Sequence, residues 1–282
     1  MIGAIHFELR AKNSAQLPFI NGRFMHAAFF KILNEQSLAF GNFIHNELNI
    51  KPFTVSFLDP IQECPSVEDR WIVRRGEKFY WRITGLNDEI LQAAQNVVAG
   101  YEIQAGSLIL TVEAVKVDSI IPVSELISDV KNFPPVKEMC FDFVSPVSFR
   151  IDKFDAPYPR AELIFSSLAD KWTQANMPAE IEKKTIRDLA MQIRLTQWQG
   201  QSKKFYLAYD RGTTAFWGKF FYNLESVNNE FQKIFLLLAN FGEFSGVGRL
   251  TGQGFGQTRV EILKLIPYLS TSTKNRVHSL RW

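Results

Sequence analysis

The sequence contains few of the residues that mark secreted or membrane proteins. Only two of its 282 residues are cysteines, Cys64 and Cys140, and they stand far apart and outside a CxxC spacing. We therefore expect free thiols rather than a disulfide. No apolar run approaches the roughly 18 residues that a membrane span requires, and the first residues lack a signal-peptide pattern. These features predict a cytoplasmic protein with no membrane partner.

Histidine is also scarce, and charge of one sign does not dominate. The chain has four histidines, and its His, Cys, Asp and Glu residues form no cluster with metal-ligand spacing, so we expect no metal site and no cofactor. The formal net charge of +3 permits an RNA or DNA partner without requiring one. Phenylalanine, by contrast, occurs 25 times, which predicts a core rich in aromatic side chains.

Hydrophobic patterning divides the chain into strands and helices of an α+β protein. The first half predicts strands over 2–10, 51–58 and 107–118, a hairpin over 71–83 that turns near Gly76, and helices from about Arg23 and over 88–98. A loop containing Gly41 and His45 is expected after the first helix. The order approximates the βαββαβ arrangement of a ferredoxin-like domain.

The second half repeats this plan with a different sequence. It predicts strands over 140–151, 186–199, 203–209, 214–224 and 257–265, and helices over 162–173 and 229–241. Pro134 and Pro135 exclude both a helix and a central strand, and therefore indicate a domain boundary. We expect two tandem ferredoxin-like (RRM-like) domains, residues 1–132 and 138–282, and a mobile tail after Tyr268.

A glycine-rich loop, residues 246–256, has a pattern more specific than its composition. Gly246 and Gly248 enclose one apolar residue, Gly254 and Gly256 enclose another, and five residues separate the two pairs. Glycine permits positive φ and lets backbone N–H groups approach a ligand, commonly a phosphate. A Walker loop would end in Gly-Lys-Ser/Thr, and a dinucleotide fingerprint would need glycine in place of Thr251. With both excluded, a loop that binds a phosphate chain and a purely structural loop remain.

The Gly-apolar-Gly pairs resemble the signature of the RAMP superfamily, and within it the CRISPR repeat-processing endoribonucleases. Three further stretches agree with this resemblance: His45 with 51–56, the opening 143–146 of the second half with the helix 157–168, and 216–219 before the last helix. The resemblance spans nearly the whole chain. It implies two ferredoxin-like folds that bind CRISPR repeat RNA and cut precursor transcripts within the repeat to give crRNA.

The reaction that this resemblance implies is a metal-independent RNA transesterification. A 2′-hydroxyl attacks the adjacent phosphate and leaves a 2′,3′-cyclic phosphate and a 5′-hydroxyl end. Such a step needs a base, an acid and positive charge at the developing phosphorane. By resemblance, His45 is the base or the acid and Lys51 is the stabilising cation. A surface-loop histidine is the structural alternative for His45.

His26 is the rival general base. It lies in the first turn of the first predicted helix, where a partly buried structural histidine is the ordinary alternative. That helix borders the active site in the family and often carries a tyrosine, but Phe30 stands at the corresponding position and cannot transfer a proton. Either His26 supplies the missing function or the site works with two groups. His6 and His278 are expected to have no catalytic role.

The predicted RNA-binding residues combine the glycine-rich loop with nearby cations: Gly246, Gly248, Arg249, Gly254, Gly256, Arg259, Lys219 and Arg23. Lys203 and Lys204 are further candidates, although a lysine pair is more often solvated surface. Two other functions stay open: a non-catalytic protein that binds repeat RNA, and a structural subunit of a CRISPR effector complex. The presence of His45 with Lys51 favours the enzyme, as a monomer or homodimer.

Overall fold

The computed structural model describes residues 1–47, 50–208 and 211–265, so the predicted tail with His278 lies outside it. In the first half the elements are, in chain order, β1 (Ile2–Ala11), β2 (Ala15–Pro18), α1 (Gly22–Gln36), α2 (Leu38–Glu47), β3 (Phe53–Val55), β4 (Asp59–Pro60), β5 (Ser66–Val67), β6 (Arg70–Val73), β7 (Lys78–Gly85), α3 (Asp88–Gln95), β8 (Glu102–Ala105), β9 (Leu108–Ile121) and α4 (Val123–Lys131). In the second half they are β10 (Val136–Val147), β11 (Phe149–Ile151), β12 (Phe154–Ala156), α5 (Ala161–Gln174), α6 (Lys183–Ala190), β13 (Arg194–Ala208), β14 (Arg211–Asn223), α7 (Asn229–Ser245) and β15 (Thr258–Leu265). No helix in these described ranges is long and apolar enough to cross a membrane.

The main sheet of the first unit has the strand order β3-β7-β1-β9-β8 with antiparallel neighbours. β1 lies in its middle, and Ile5, Phe7 and Leu9 of this strand are fully buried. α1 covers the sheet because Met25 and Phe29 recur at helical spacing and bury completely. The chain passes through β1, α1, β3, β7, α3 and β9, which is the ferredoxin-like βαββαβ order.

The second unit repeats this topology with the strand order β13-β14-β10-β15. Its chain passes through β10, α5, β13, β14, α7 and β15, while the β11–β12 hairpin and α6 are insertions. Its core is aromatic: Phe165 contacts Phe141 and Phe235 edge to face, with ring centroids 5.7 and 4.6 Å away. The predicted α+β class with two tandem ferredoxin-like folds is confirmed.

α4 joins the two units through apolar contacts. Its Leu126 and Val130 belong to the hydrophobic core of the second unit, and so do Ile2 and Leu86 from the first sheet. Because the apolar contacts continue across this junction, the exact division into residues 1–132 and 138–282 stays a prediction.

α7 leads directly into the glycine-rich loop. Its first turn is capped by the Asn228 side chain, which accepts a hydrogen bond from the Glu230 N–H. Phe235, Leu238 and Phe241 bury fully at helical spacing and fix the helix against the sheet. The helix stops where Gly246 adopts a φ of 64°, a left-handed value that favours glycine. The end of α7 therefore fixes where the loop begins.

The predicted loop around His45 is wrong, because this segment forms α2. Ile44 is buried, and the backbone of His45 is helical. Gly41 indicates a loop in the sequence, yet its role is close packing between helices: a Cβ at this position would overlap the Asn34 side chain. The side chain of His45 lies outside the described part of the structure.

Two other local predictions are also wrong. The start of the predicted strand 186–199 is the helix α6, in which Ile186 and Ala190 are buried four residues apart. The predicted hairpin over 71–83 does not form, because β6 pairs with β2 and β5 in a separate small sheet whereas β7 pairs with β1, β3 and β4. Gly76 does turn the chain between them, with a φ of 94°.

Buried polar contacts hold the two units together close to the glycine-rich loop. The Thr84 hydroxyl donates to the Phe244 carbonyl at 2.5 Å, and the Arg82 guanidinium donates to the Glu243 carbonyl at 3.1 Å. Burial raises the pKa of the Glu243 carboxyl, although the Val260 N–H and Arg82 oppose the shift. These contacts attach the end of α7 to β7 of the first sheet.

Candidate active site

Backbone N–H groups of the glycine-rich loop bond to its own far end and to neighbouring elements of the second unit. The Val247 N–H donates to the Gly256 carbonyl at 2.8 Å, the Gly248 N–H to the Ser167 hydroxyl at 3.1 Å, and the Arg249 N–H to the Ser148 carbonyl at 2.9 Å. These N–H groups therefore serve the folding of the loop in this structure. The pattern that predicts a phosphate cradle also has a structural explanation.

Close packing explains why the loop needs glycine. Gly246, Gly248, Gly254 and Gly256 all have positive φ, between 64° and 89°. A Cβ on Gly248 would lie 2.5 Å from the Ser148 carbonyl oxygen. A Cβ on Gly254 would lie 2.5 Å from the Phe57 ring, and the neighbouring Phe255 packs edge to face on the same ring at 5.7 Å. The loop therefore packs against both units.

A cleft of about 790 Å³ lies beside this loop, between the two units. Its walls come from α1, the approach to β3, the β11–β12 hairpin, α5, α6 and residues 248–253 of the loop. Four of the predicted site residues line it: His26, Lys51, Gly248 and Arg249. Gly246, Gly254 and Gly256 do not line it, and lie buried at the two ends of the loop.

His26 reaches from α1 to the loop. Its Nδ1 lies 2.6 Å from the Gly252 carbonyl oxygen, and its ring packs against Phe30 and Phe53 at centroid distances of 4.8 and 5.7 Å. Because a carbonyl oxygen only accepts hydrogen bonds, Nδ1 carries the proton. A neutral His26 then has its lone pair on Nε2, which is the form that a general base needs.

Lys51 ties the approach of β3 to the end of α2. Its ammonium donates to the Ile44 carbonyl at 2.8 Å, and burial lowers the pKa of Lys51. Ile44 directly precedes His45 in α2, so this bond brings the backbone of His45 close to the lysine that lines the cleft. In the predicted His–Lys pair, the Lys51 ammonium therefore lies near the backbone of His45.

Arg249 is held by a carboxylate at the edge of the cleft. Its guanidinium donates to Asp155 at 3.0 Å, and the same carboxyl accepts bonds from the Thr213 hydroxyl and the Thr214 N–H at 3.1 and 2.9 Å. Burial would raise the pKa of Asp155, but the bonds from Thr214 and Thr213 and the Arg249 charge lower it overall. The predicted phosphate ligand thus already has an anionic partner, which fixes the loop to β12 and β14.

The structure places the other predicted cations away from the cleft. Lys219 and Arg259 flank Asp142 across β14, β10 and β15, on the sheet face opposite the core, since strand residues alternate between faces. Arg259 lines a separate cavity of about 100 Å³. His6 lines the same small cavity, and its Nδ1 contacts the Asp118 carboxyl. Arg23 donates to the Leu207 carbonyl of the β13–β14 hairpin at 3.1 Å.

The weaker candidates Lys203 and Lys204 lie in β13. Lys203 pairs with Asp69 at 3.1 Å, which links the β13–β14 hairpin to the first unit, and the Lys204 ammonium lies 5.5 Å from the centre of the Tyr206 ring. Neither lysine lines the cleft beside His26 and Lys51 in the described residues.

The sequence patterns do not predict four further cations of the cleft: Arg150 in β11, the buried Lys171 in α5, and Lys183 and Arg187 in α6. Lys183 and Arg187 are four residues apart and share one helix face, which is the signal that a correct helix assignment would have supplied. Asp170 pairs with Lys183 at 3.0 Å and offsets part of this charge. Among the described residues, no three His, Cys, Asp or Glu side chains gather at a spacing that could hold a metal ion.

Comparison with known protein families accounts for both halves of the chain. The model of the CRISPR Cas6 N-terminal domain matches residues 4–124, and that of the CRISPR-associated endoribonuclease Cas6 matches residues 141–258. The chain belongs to the Cas6 family. The matches cover most of both sheets, the whole glycine-rich loop and every residue that lines the cleft, so the family assignment includes the cleft as well as the fold.

Curated members of the family are distant relatives. A CRISPR-associated endoribonuclease Cas6 of Mycobacterium tuberculosis is 24% identical over 197 residues, which cover 68% of this chain and 62% of that protein. A Streptococcus thermophilus Cas6 is 30% identical over 121 residues, 42% of this chain and 49% of that protein. The chain therefore matches less than two thirds of the length of these curated relatives.

Solved structures of the family share the whole fold. A Thermus thermophilus Cas6 in a product complex superimposes with a TM-score of 0.73 at 23% identity, covering 93% of this chain and 100% of that one. A second Cas6 product complex gives a TM-score of 0.68 at 21% identity, with 93% and 100% covered. At these identities, the likeness shows that the two-unit architecture is that of Cas6.

Proposed function

We propose that the protein is a metal-independent endoribonuclease that cuts CRISPR precursor transcripts within the repeat, in the cytoplasm, and gives crRNA with 2′,3′-cyclic phosphate and 5′-hydroxyl ends. The observation that carries this proposal is the cleft in which His26, Lys51 and the glycine-rich loop meet. The curated relatives are named as endoribonucleases, and solved relatives are product and substrate-mimic complexes. These names support the same class of substrate.

We propose a role for His26 and Lys51 from their contacts in the cleft, and one for His45 from the family resemblance. Nε2 of His26 takes the proton of the 2′-hydroxyl, since Nδ1 is occupied by its bond to Gly252. The 2′-oxygen then bonds to phosphorus, and the ammonium of Lys51 stabilises the charge of the phosphorane. The bond to the 5′-oxygen breaks, and His45 is the acid that protonates this leaving group. Substrate and products balance without a metal ion.

The path of the RNA follows from the charges around the cleft. Arg150, Lys183 and Arg187 lie on the side of the second unit and face the same space as Lys51. We assign these side chains to the phosphates that flank the cleaved bond. Arg249 binds RNA more weakly in this scheme, because Asp155 neutralises it.

The test uses repeat-containing RNA in the presence of EDTA. Cleavage should persist, end-group analysis should find a cyclic phosphate, and a 2′-deoxy nucleotide upstream of the cut should abolish the reaction. His26→Ala and His45→Ala should each lower the single-turnover rate by about 10²–10⁴-fold. His6→Ala is the matched control, because its side chain pairs with Asp118 outside the cleft.

Three outcomes would refute or redirect the proposal. Cutting of the deoxy substrate would exclude transesterification, and full rates in both histidine variants would exclude the assigned groups. Tight repeat binding without any cleavage would favour the non-catalytic alternative. Sizing by light scattering would test the predicted monomer or homodimer, and co-purification with other CRISPR proteins would test the effector-complex partner.

A further inference from the structure

A buried lysine on α5 contacts both arms of the glycine-rich loop. Lys171 is 3% exposed, and its ammonium donates to the carbonyls of Ser245 and Gly246 at 3.0 and 2.8 Å and to the Thr251 hydroxyl at 3.2 Å. One side chain thus joins the end of α7 to the middle of the loop. Among the described residues no carboxylate forms an ion pair with it.

The three acceptors match an ammonium group better than a neutral amine. An ammonium has three N–H donors, one for each oxygen, whereas an amine has two and would turn its lone pair toward the third oxygen. Burial lowers the pKa of Lys171 to about 7, and the charge of the adjacent Asp170 opposes the shift. The hydrogen bonds favour the charged form, so the group has a reason to stay protonated inside the protein.

General stability does not explain this lysine. A buried charge without an ionic partner is costly, and an apolar side chain of similar length would fill the same space without that cost. What a methionine could not do is hold three particular oxygens at fixed positions. The distances therefore point to control of the loop conformation as the role of Lys171.

The conformation of the loop matters because the residue that follows Thr251 contacts His26. Thr251 receives the bond from Lys171, and the next residue, Gly252, receives the bond from His26 Nδ1 at 2.6 Å. Between Arg249 and Thr251, Leu250 has a φ of 60°, a left-handed conformation that a leucine adopts only where surrounding contacts impose it. Those contacts include the bond from Lys171 to the neighbouring threonine.

We propose that Lys171 is a positioning residue of this site: it holds Thr251 so that the Gly252 carbonyl fixes the tautomer and orientation of His26. The proposal rests on the proposed function for its catalytic consequence. Its structural part, the link from Lys171 through the loop to His26, is independent of whether the protein cuts RNA. It also means that the second unit controls a group carried by the first.

The test compares Lys171→Met with Lys137→Met in the full-length protein. Lys137 is a suitable control because it is exposed, pairs with Glu225, and lies outside the cleft. The first readout is the tautomer of His26, measured from the ¹⁵N shifts of its two ring nitrogens, with His26→Ala to assign the signals. Lys171→Met should shift His26 toward the form protonated at Nε2, and Lys137→Met should leave it unchanged.

The second readout separates binding from chemistry. In Lys171→Met the single-turnover cleavage rate should fall by about 100-fold, the order expected for a misplaced catalytic group, while the Kd for a 2′-deoxy repeat RNA should change less than about threefold. Thr251→Val removes one of the three acceptors and should shift both readouts partway in the same direction. If Lys171→Met does not fold, Thr251→Val decides the question.

An unchanged His26 tautomer in the folded variants would overturn the proposal, whatever happens to the rate. An equal loss of RNA binding and of cleavage rate would also overturn it, since that result assigns Lys171 to the binding surface. If the wild-type protein does not cleave at all, the proposed function fails, and the ¹⁵N shifts still test the positioning role alone.

Discussion

Gly256→Ala should destabilise the protein more than the same substitution at a glycine with similar backbone geometry elsewhere. Gly256 has a φ of 74°, and a Cβ there would overlap the Val247 carbonyl oxygen and lie 2.9 Å from the Thr251 side chain. Gly76 also has a positive φ, 94°, but a Cβ at that position meets nothing within 4 Å. The pair therefore separates backbone strain from packing.

The magnitudes follow from these two terms. Alanine in a left-handed conformation costs about 1–2 kcal/mol at either site. At Gly256 the added Cβ would overlap a backbone carbonyl, which no side-chain rotamer change can move away. Overpacking of this kind adds about 1–3 kcal/mol. The gain from a stiffer unfolded chain is common to both variants and cancels. We expect a loss of about 2–5 kcal/mol for Gly256→Ala and about 1–2 kcal/mol for Gly76→Ala.

Urea unfolding followed by far-ultraviolet circular dichroism measures both losses, with linear extrapolation to water. The m-value should be unchanged in both variants if the fold persists. Equal destabilisation of the two variants within about 0.5 kcal/mol, the ordinary scatter of such comparisons, would contradict the packing argument. It would mean that the loop can move away from Val247 at little cost.

Three further predictions concern buried or half-buried polar groups. The pKa of Lys171 is lowered to about 7 in the folded protein, so above that pH the unfolded chain binds more protons than the folded one. The free energy of unfolding should therefore rise between pH 7 and about 10. Lys171→Met should flatten this rise in urea titrations at several pH values. Asp155→Ala leaves Arg249 without its carboxylate and should lower the melting temperature, by the equivalent of about 1–3 kcal/mol; an unchanged temperature would show that the pair is dispensable. Thr84→Val removes the buried donor to the Phe244 carbonyl and should cost about 1–3 kcal/mol, and a neutral result by calorimetry would count against this contact between the units.

The topology could be predicted because its central elements have strong periodic patterns. Phe7 and Leu9 alternate in β1, and Phe235, Leu238 and Phe241 recur at helical spacing in α7, as their burial requires. α6 is a different case. Ile186, Leu189 and Ala190 recur at helical spacing and pack toward the core, so the helical period is present, but it spans only eight mostly polar residues and the strand prediction over 186–199 overrides it.

The site could be predicted in part. His26 and Lys51 are identified by residue type and by family resemblance, and the cleft brings them together. Arg187 joins them only through the packing of α6 against α5, which the sequence does not reveal without the tertiary structure. Lys171 is harder still, because a lysine within an amphipathic helix reads as solvated surface unless the residues covering it are known.

The bond between His26 and Gly252 also has a consequence for synthesis of the protein. The two residues are separated by 226 positions in the chain. At about 5–20 residues per second, a ribosome needs about 11–45 s to travel from one to the other. The first unit can fold during this interval, but its histidine has no carbonyl to orient it until the loop has emerged. If His26 acts as proposed, a nascent chain would not cut the RNA around it, and cleavage would begin only after both halves of the protein have been made.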